Sequence, residues 1–330
     1  MSNASSTRFI HGVCGKARAT RRRARLRSRS MPHAGRAVAE RIGRIGVWTF
    51  QFDRMPVADV RRAAAALEEL GAGAIWIPES VVSKEVFAHS TLILGATEHI
   101  AVATGIANIW ARDPVAMQNG ARTLADAFPG RFILGLGVSH EPAVRRRGGS
   151  YEKPLAHMRE YLDAMDRARY SGAEPAQPVP RVLAALGPKM LALAGERTAG
   201  AHPYFVPVEH TPIARTVLGD GPLLAVEQAV AFESDPTKAR ELARGHMAGY
   251  LRLDNYANNL RRLGWKDDDI AGPSDALVDA IVAWGPHERI VDRMLSHVRN
   301  GADHVCIQPL SADPLRIPLA EVAEVVRAAM

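Results

Sequence analysis

Residues 100–138, IAVATGIANIWARDPVAMQNGARTLADAFPGRFILGLGV, decide the fold of this chain. Two short apolar runs, residues 100–106 and 132–138, enclose a segment of helical period that carries a proline in its first turn. The order strand, helix, strand is typical of a βαβ unit. Because both strands are almost continuously apolar, they are expected to lie in a parallel sheet that is covered on both faces.

The same alternation extends over most of the chain and predicts eight strands. They are expected at residues 45–50, 74–77, 100–106, 132–138, 181–186, 201–206, 223–232 and 302–308. Eight such strands favour a closed (β/α)8 TIM barrel over an open doubly wound sheet, which needs fewer. Helical patterns at 236–250, 255–263, 274–283 and 286–299 exceed one crossover, so we assign the surplus to an insertion between strands 7 and 8. Residues 42–330 are predicted to form a single domain.

The formal charge of +7 is concentrated at one end of the chain. Residues 1–41 hold 11 Lys and Arg and one acidic residue, whereas the remainder holds 31 basic and 34 acidic residues. Residues 1–41 also lack a pattern that could pack a core, and we predict a disordered basic extension. A translation start at Met31, or a nucleic-acid or targeting segment, are the alternatives. The mildly acidic remainder gives no reason to expect the barrel to bind nucleic acid.

Membrane, disulfide and metal functions find no support in the sequence. No window approaches the roughly 18 apolar residues of a membrane span, and no signal peptide is recognisable. Cys14 and Cys306 are too far apart for a CxxC site, and the low cysteine count fits the reducing cytoplasm, where we expect the protein. His202, His210 and His304 match no known spacing of metal ligands, so no metal is expected.

Residues that directly follow barrel strands converge on one face, where barrel enzymes place their chemistry. The predicted strand ends carry aromatic, polar and charged side chains: Trp48, Glu79, Asn108, His140 and Lys189. After the fifth strand, Gly187-Pro188 opens a helix, whose free N–H groups and positive dipole end suit an anion. The glycine would also allow a ligand to approach closely, although an ordinary loop is the alternative interpretation.

The chain resembles the luciferase-like (bacterial luciferase-type) oxidoreductase superfamily, and within it the branch that uses the deazaflavin coenzyme F420. The resemblance covers roughly residues 42–310 and is most specific at Arg112-Asp113-Pro114 and at residues 128–137, FPGRFILGLG. It implies a barrel that transfers a hydride between coenzyme F420 and a small organic substrate, and it suggests a homodimer. An FMN-dependent monooxygenase of the same fold is the alternative. A non-catalytic ligand-binding barrel is an alternative of another class.

The resemblance also implies which residues contact the cofactor. Gly105-Ile106 would occupy the family's non-proline cis peptide and bulge behind the ring, and Asn108 would face the ring edge. The remaining cofactor contacts implied are Trp48, Glu79, Val138 and Ser139 at the ring, and Leu186, Gly187 and Pro188 at the tail and phosphate.

One departure from the family bears on the mechanism. Related sugar phosphate dehydrogenases carry an Asp-His pair after strand two and a Glu after strand four, where this chain has Glu79-Ser80 and His140. A sugar phosphate is therefore not the expected substrate. His140 is predicted to exchange the proton, because histidine titrates near neutral pH; a solvated loop histidine is the alternative. Glu79 is predicted to orient the ring or act as a base, or else to form a salt bridge.

Overall fold

The strands of the computed structural model, which describes residues 31–329, form a closed parallel barrel. In chain order they are β1 (Ile45–Trp48), β2 (Ala74–Ile77), β3 (Ala101–Thr104), β4 (Ala107–Asn108), β5 (Phe132–Gly137), β6 (Arg181–Leu183), β7 (Gly200–Ala201), β8 (Leu223–Ala231), β9 (Val282–Trp284) and β10 (His304–Leu310). Neighbours pair in the order β1, β2, β3, β5, β6, β7, β8, and β10 pairs with both β8 and β1. The predicted (β/α)8 TIM barrel is confirmed.

Helices connect these strands and surround the barrel. They are α1 (Met31–Ile42), α2 (Gln51–Arg54), α3 (Val57–Glu69), α4 (Val86–Leu94), α5 (Pro114–Ala127), α6 (Glu141–Arg146), α7 (Pro154–Arg167), α8 (Pro188–Arg197), α9 (His210–Leu218), α10 (Pro236–Tyr250), α11 (Asp254–Arg262), α12 (Asp267–Ala271), α13 (Asp275–Ile281), α14 (His287–Arg299) and α15 (Leu319–Ala329). Within residues 31–329, no helix combines the length and the apolar character that crossing a membrane requires.

Alternating side chains on each strand build two apolar cores. Val47 and Ile75 face the surrounding helices, whereas Trp48 and Trp76 point into the barrel, and all four are buried. Trp48 and Trp76 are register partners on β1 and β2, so their indoles lie at the same level of the barrel. This alternation follows from the two-residue period of a strand, and it fills the barrel with side chains rather than leaving a pore.

Helix α1 corrects the expectation that residues 1–41 are disordered, which is wrong for residues 31–41. Val38 and Ile42 are buried, and a side chain at Gly35 would come within 2.5 Å of the carbonyl oxygen of Ala199 and the amide nitrogen of Leu223. These two backbone atoms lie at the starts of β7 and β8, so α1 covers the amino-terminal end of the barrel. Burial of its apolar face outweighs the basic character that suggested disorder. Residues 1–30 lie outside the described residues.

The second half of the barrel departs furthest from the pattern. The predicted strand 201–206 is reduced to Gly200–Ala201, since Pro203 interrupts it, and α9 was not predicted. The predicted helix 274–283 ends at Ile281, and the next three residues form β9, which pairs in parallel with β8. Helices α10 to α14 and β9 lie between β8 and β10, where we predicted the insertion.

Candidate active site

A cavity of about 810 Å³ opens at the carboxyl-terminal ends of the strands. The loops after β1, β2, β3, β5, β6 and β7 line it, together with the end of α10 and with α11. Barrel enzymes place their active sites at this end. Among the residues predicted from the sequence, ten line this cavity: Trp48, Glu79, Gly105, Ile106, Val138, Ser139, His140, Leu186, Gly187 and Pro188.

Asn108 is not among the residues that line the cavity, unlike the other predicted site residues. Its side chain is buried, and its Oδ1 accepts a hydrogen bond of 2.9 Å from the amide of Trp110. The backbone amide of Asn108 donates to Oε2 of Glu79 at 2.7 Å. Asn108 therefore shapes the turn after β4 from behind the cavity wall.

Glu79 lines the cavity, but its carboxylate is held by other protein groups. Arg112 donates Nη1 to Oε2 at 2.9 Å and Nη2 to Oε1 at 2.5 Å, and Arg112 also bonds Glu85. The carboxylate side chain of Glu79 is only 4% exposed. Two-pronged bonds of this kind are strong and directional, and they fix the position of the carboxylate. The geometry favours a positioning role for Glu79 over the role of a base.

A bulge separates β3 from β4 at the predicted ring-supporting position. Val102 pairs with Phe132 thirty residues on, whereas Ala107 pairs with Leu136 only twenty-nine residues on, so one extra residue lies between β3 and β4. Such a bulge re-aims the backbone at a barrel rim. The peptide bond between Gly105 and Ile106 is trans, as are all peptide bonds of residues 31–329, which corrects the expected cis peptide. The trans form is the ground state of a non-proline bond, and the bulge accommodates it.

Two glycines leave the backbone at this bulge open to a ligand. We call the surface formed by Gly105, Ile106 and Gly137 the shelf. A Cβ at Gly105 would lie 2.4 Å from Nε1 of Trp48, and a Cβ at Gly137 would lie 2.3 Å from Cγ1 of Ile106. Trp48 and Ile106 therefore pack directly against backbone that lacks a side chain. The result is a flat surface at the rim, of the kind that a planar ring can lie against.

Ser139 follows β5 in a left-handed backbone conformation, with φ of 56°. Such a conformation is uncommon outside glycine, and its strain is most often retained at functional sites. The neighbouring Val138 carbonyl accepts a bond of 2.9 Å from Nε1 of Trp110. Residues 138 and 139 thus present an irregular piece of backbone to the cavity.

His140 caps the start of α6 and is held by the insertion. Its Nδ1 lies 3.2 Å from Oδ1 of Asn255 on α11. Because an amide oxygen only accepts, Nδ1 carries the proton, and the lone pair of Nε2 is available to a ligand. Burial lowers the pKa of His140 from its usual 6.5, and the bond to Asn255 opposes this only in part. His140 is therefore a neutral proton acceptor at neutral pH.

The start of α8 forms a cationic end of the cavity. Gly187 precedes the helix without a side-chain cap, and Lys189 lies in its first turn. Arg262 of α11 approaches from the other side, with Nη2 only 3.5 Å from the position of a Cβ at Gly187. Arg146 of α6 also lines the cavity. Free helix amides and three cations together suit a phosphate or carboxylate.

Several lining residues were missed in the sequence. They come from the loop after β7 and from the insertion: Tyr204, Tyr250, Leu253, Asn255, Tyr256 and Arg262. Their rings pack in contact, with centroids 5.3 Å apart for Tyr204 and Tyr250 and for Tyr250 and Tyr256. The only available signal was the number of surplus helices, which indicated a cap but did not show which face of α11 would point inward.

Beneath the cavity the barrel interior holds buried polar groups. His202 stacks on Trp76 and its Nδ1 donates to the carbonyl of Ala225 at 2.9 Å, while burial lowers its pKa to about 4. Glu227 on β8 is 1% exposed and bonds the amide of Phe205 through Oε2. Burial raises the pKa of Glu227 to about 8, so its carboxyl keeps a proton at neutral pH. Residues 31–329 contain no cluster of three side chains that could ligate a metal.

The sequence of this chain is similar to a known protein family and to proteins of known function. The family model described as luciferase-like monooxygenase matches residues 27–304. A 5,10-methylenetetrahydromethanopterin reductase of Methanolobus tindarius is 27% identical over 215 residues, 57% of this chain and 66% of that protein, just under two thirds of its length. The enzyme of the same name from Archaeoglobus fulgidus is 26% identical over 247 residues, 66% of this chain and 74% of that protein.

Solved structures share the fold at low sequence identity. An F420-dependent secondary alcohol dehydrogenase, in complex with an F420-acetone adduct, superposes with a TM-score of 0.71 at 17% identity, over 87% of this chain and 99% of that one. The monooxygenase RslO1 from Streptomyces bottropensis superposes with a TM-score of 0.63 at 15% identity, over 86% of this chain and 97% of that one. These likenesses show that the barrel fold is shared.

Proposed function

Because the chain belongs to the luciferase-like monooxygenase family, we propose that it is an oxidoreductase that transfers a hydride between coenzyme F420 and a small organic substrate. The observation that carries the proposal is that one cavity combines a backbone shelf at the Gly105-Ile106 bulge, a cationic end at α8 and a neutral histidine. A ring, its anionic tail and a proton acceptor are what deazaflavin chemistry requires. Two relatives are named for the reduction of a methylene-pterin, and one structural neighbour for F420.

The residues present fit the coenzyme. Trp48, Gly105 and Ile106 would support the ring, with the backbone of Val138 and Ser139 at its edge. The tail would lie along a second set of groups at the start of α8: Leu186, Gly187, Pro188, Lys189 and Arg262. When bound, the deazaflavin supplies a ring carbon that accepts or returns a hydride, and the protein supplies binding, orientation and exclusion of water.

His140 is the proposed proton partner. Its Nδ1 is committed to Asn255, so Nε2 is the atom that accepts a proton when substrate is oxidised. Its pKa lies below 6.5 because of burial, which keeps Nε2 unprotonated at neutral pH. Glu79, with Arg112, holds the amide of Asn108 and thereby keeps the loop after β4 in place, which is a positioning role.

An FMN-dependent monooxygenase is the second candidate. The observation in its favour is that the same barrel serves the monooxygenase RslO1 and an FMN-bound Baeyer-Villiger monooxygenase, the latter with a TM-score of 0.59. FMN also carries a phosphate that the cationic end would attract. The two cofactors differ in ring chemistry rather than in the tail, so only a binding comparison separates them.

A fluorescence titration of the purified protein with oxidised F420 and with FMN tests the proposal. We expect saturable binding of F420 with much weaker binding of FMN, and reduction or oxidation of bound F420 by a substrate panel. Lys189→Ala should weaken F420 binding about tenfold, as expected for loss of one charge-assisted bond, whereas Lys238→Ala on exposed α10 should not. Preference for FMN would support the monooxygenase. Binding of F420 without turnover would support a non-catalytic barrel. Binding of neither cofactor would refute both cofactor assignments.

A further inference from the structure

A continuous aromatic wall runs along one side of the cavity. It consists of Phe50, Trp48, Tyr204, Tyr250 and Tyr256, all of which line the cavity. Successive ring centroids are 4.5, 5.1, 5.3 and 5.3 Å apart, and the wall ends at His140, whose ring lies 5.4 Å from that of Tyr256. The wall therefore leads from the ring shelf directly to the proposed proton partner.

The hydroxyl groups of Tyr204 and Tyr250 are already engaged within the protein. Tyr204 donates to Oε1 of Gln308 at 2.8 Å, and the hydroxyl of Tyr250 lies 2.8 Å from that of Tyr204. These two tyrosines thus offer ring faces and edges to a ligand rather than spare donors. Leu253, which lies between Tyr250 and Tyr256 in the sequence and also lines the cavity, adds another apolar surface.

The five side chains of the aromatic wall carry no fixed charge. The lining cations are Arg146 on α6, Lys189 in the first turn of α8 and Arg262 on α11, and the last two lie at the start of α8, where the coenzyme tail would bind. Glu79 is the lining carboxylate, and Arg112 neutralises it. Burial also keeps His202 and His140 uncharged, because it lowers the pKa of each.

Resting on the proposed function, we infer that the substrate is an uncharged, mainly apolar alcohol, or the corresponding carbonyl compound, which lies along the aromatic wall with its oxygen at His140. In the oxidation, the C–H electron pair of the carbinol carbon leaves as a hydride to the oxidised deazaflavin, and the O–H proton passes to Nε2 of His140. The alcohol becomes a ketone and the coenzyme is reduced by two electrons. A carboxylate or phosphate on the substrate would meet the wall without a counterion, which is costly.

A matched pair of secondary alcohols tests this inference. 4-Methyl-2-pentanol and 3-hydroxybutyrate have nearly the same shape, but the second carries a carboxylate. With F420-loaded protein, followed by the loss of deazaflavin absorbance, we expect kcat/KM to favour the uncharged alcohol by about 100-fold or more, since an unpaired buried charge is strongly rejected. Equal rates, or preference for 3-hydroxybutyrate, would overturn the inference.

A substitution in the wall gives the converse test. Leu253→Arg places a cation beside the substrate and should reduce the preference at least tenfold by raising kcat/KM for 3-hydroxybutyrate relative to the uncharged alcohol. Leu253→Met, which keeps the side chain apolar, should change both alcohols alike. An unaltered preference in Leu253→Arg, with the fold retained by circular dichroism, would show that the substrate does not lie along the wall.

A third measurement separates this inference from the proposed function. In excess inorganic phosphate, which occupies the cationic end, the intrinsic fluorescence of 2-naphthol and 2-naphthoate reports binding without any coenzyme. We expect 2-naphthol to bind at least ten times more tightly than 2-naphthoate. In Leu253→Arg, the difference between the two dissociation constants should be smaller. That result, together with no binding of F420, would refute the proposed function while supporting an apolar binding wall; tighter binding of 2-naphthoate would refute the wall itself.

Discussion

Glu227→Gln offers a direct test of the barrel interior through the pH dependence of stability. Glu227 is fully buried, Oε2 accepts a hydrogen bond of 2.9 Å from the amide of Phe205, and Oε1 has no partner among the described residues. Burial dominates and raises the pKa of this carboxyl from 4.5 to about 8, although the backbone bond opposes the shift. Glutamine keeps an acceptor for Phe205 and cannot ionise.

The sign and size of the effect of pH on stability follow from the linkage between protonation and folding. Between about pH 4.5 and pH 8 the folded protein holds a proton on Glu227 that the unfolded chain has released. The stabilisation is therefore complete below pH 4.5, and it is lost as the pH rises through the folded value near 8. Each pH unit in this window lowers the free energy of unfolding by about 1.4 kcal/mol, which amounts to a loss on the order of 5 kcal/mol across it.

Guanidinium unfolding of the wild type and Glu227→Gln at a series of pH values measures this effect. We expect the variant to gain stability relative to the wild type steadily from pH 5 to 8, because it lacks the titration. Asp53→Asn is the graded control, since burial raises the pKa of Asp53 from 3.8 only to about 6, so its relative gain should end near pH 6. Stability curves of wild type and Glu227→Gln that stay parallel from pH 5 to 8 would refute the reasoning.

Three further predictions concern the active site and the amino-terminal end of the barrel (the barrel floor), which α1 covers. His140→Ala should lower kcat by about 100-fold or more, and Asn255→Asp should move the acidic limb of the pH-rate profile upward by about one unit, because a carboxylate at Nδ1 stabilises the imidazolium; an unmoved limb would contradict the role of His140. Arg112→Lys should destabilise the protein by about 3 kcal/mol in denaturant titrations, because lysine cannot replace the bidentate contact with a buried carboxylate. Gly35→Ala should cost about 1–3 kcal/mol by forcing α1 away from the barrel floor, whereas Gly245→Ala, with open space around it in α10, should gain up to about 1 kcal/mol; equal effects of the two would mean that α1 is not docked.

The barrel could be predicted because its strands obey local rules. Each buried strand is a short apolar run. The start of α5 is marked in the sequence by Asp113, whose side chain caps the helix, and by Pro114 in its first turn. The strand of two residues at Gly200–Ala201 could not be placed in the same way. Its neighbours Pro203 and Pro207 lie outside any regular element, and the conformation there depends on the bond from Phe205 to Glu227, which is distant in sequence.

The site was predicted to the extent that it is built from strand ends. The shelf at Gly105, the backbone at Ser139 and the start of α8 at Gly187 follow directly after strands, so position along the chain was enough to find them. Asn108 lies just after the bulge between β3 and β4, where the register shifts by one residue, and a single-residue shift reverses the direction of a side chain. No local pattern marks such a shift.

The part of the cavity where we propose that the substrate binds depends on one helix of the insertion. Helix α11 contributes Tyr256 to the aromatic wall, Asn255 to Nδ1 of His140 and Arg262 to the cationic end at Gly187. A single helix would therefore contact the proposed substrate, the proposed proton partner and the coenzyme tail. A change in the docking of α11 would alter all three together, whereas a change at Gly105 would alter the ring shelf alone. If the proposed function holds, we expect substrate choice to be coupled to protonation of His140 through α11, and not through the barrel strands that make the fold recognisable.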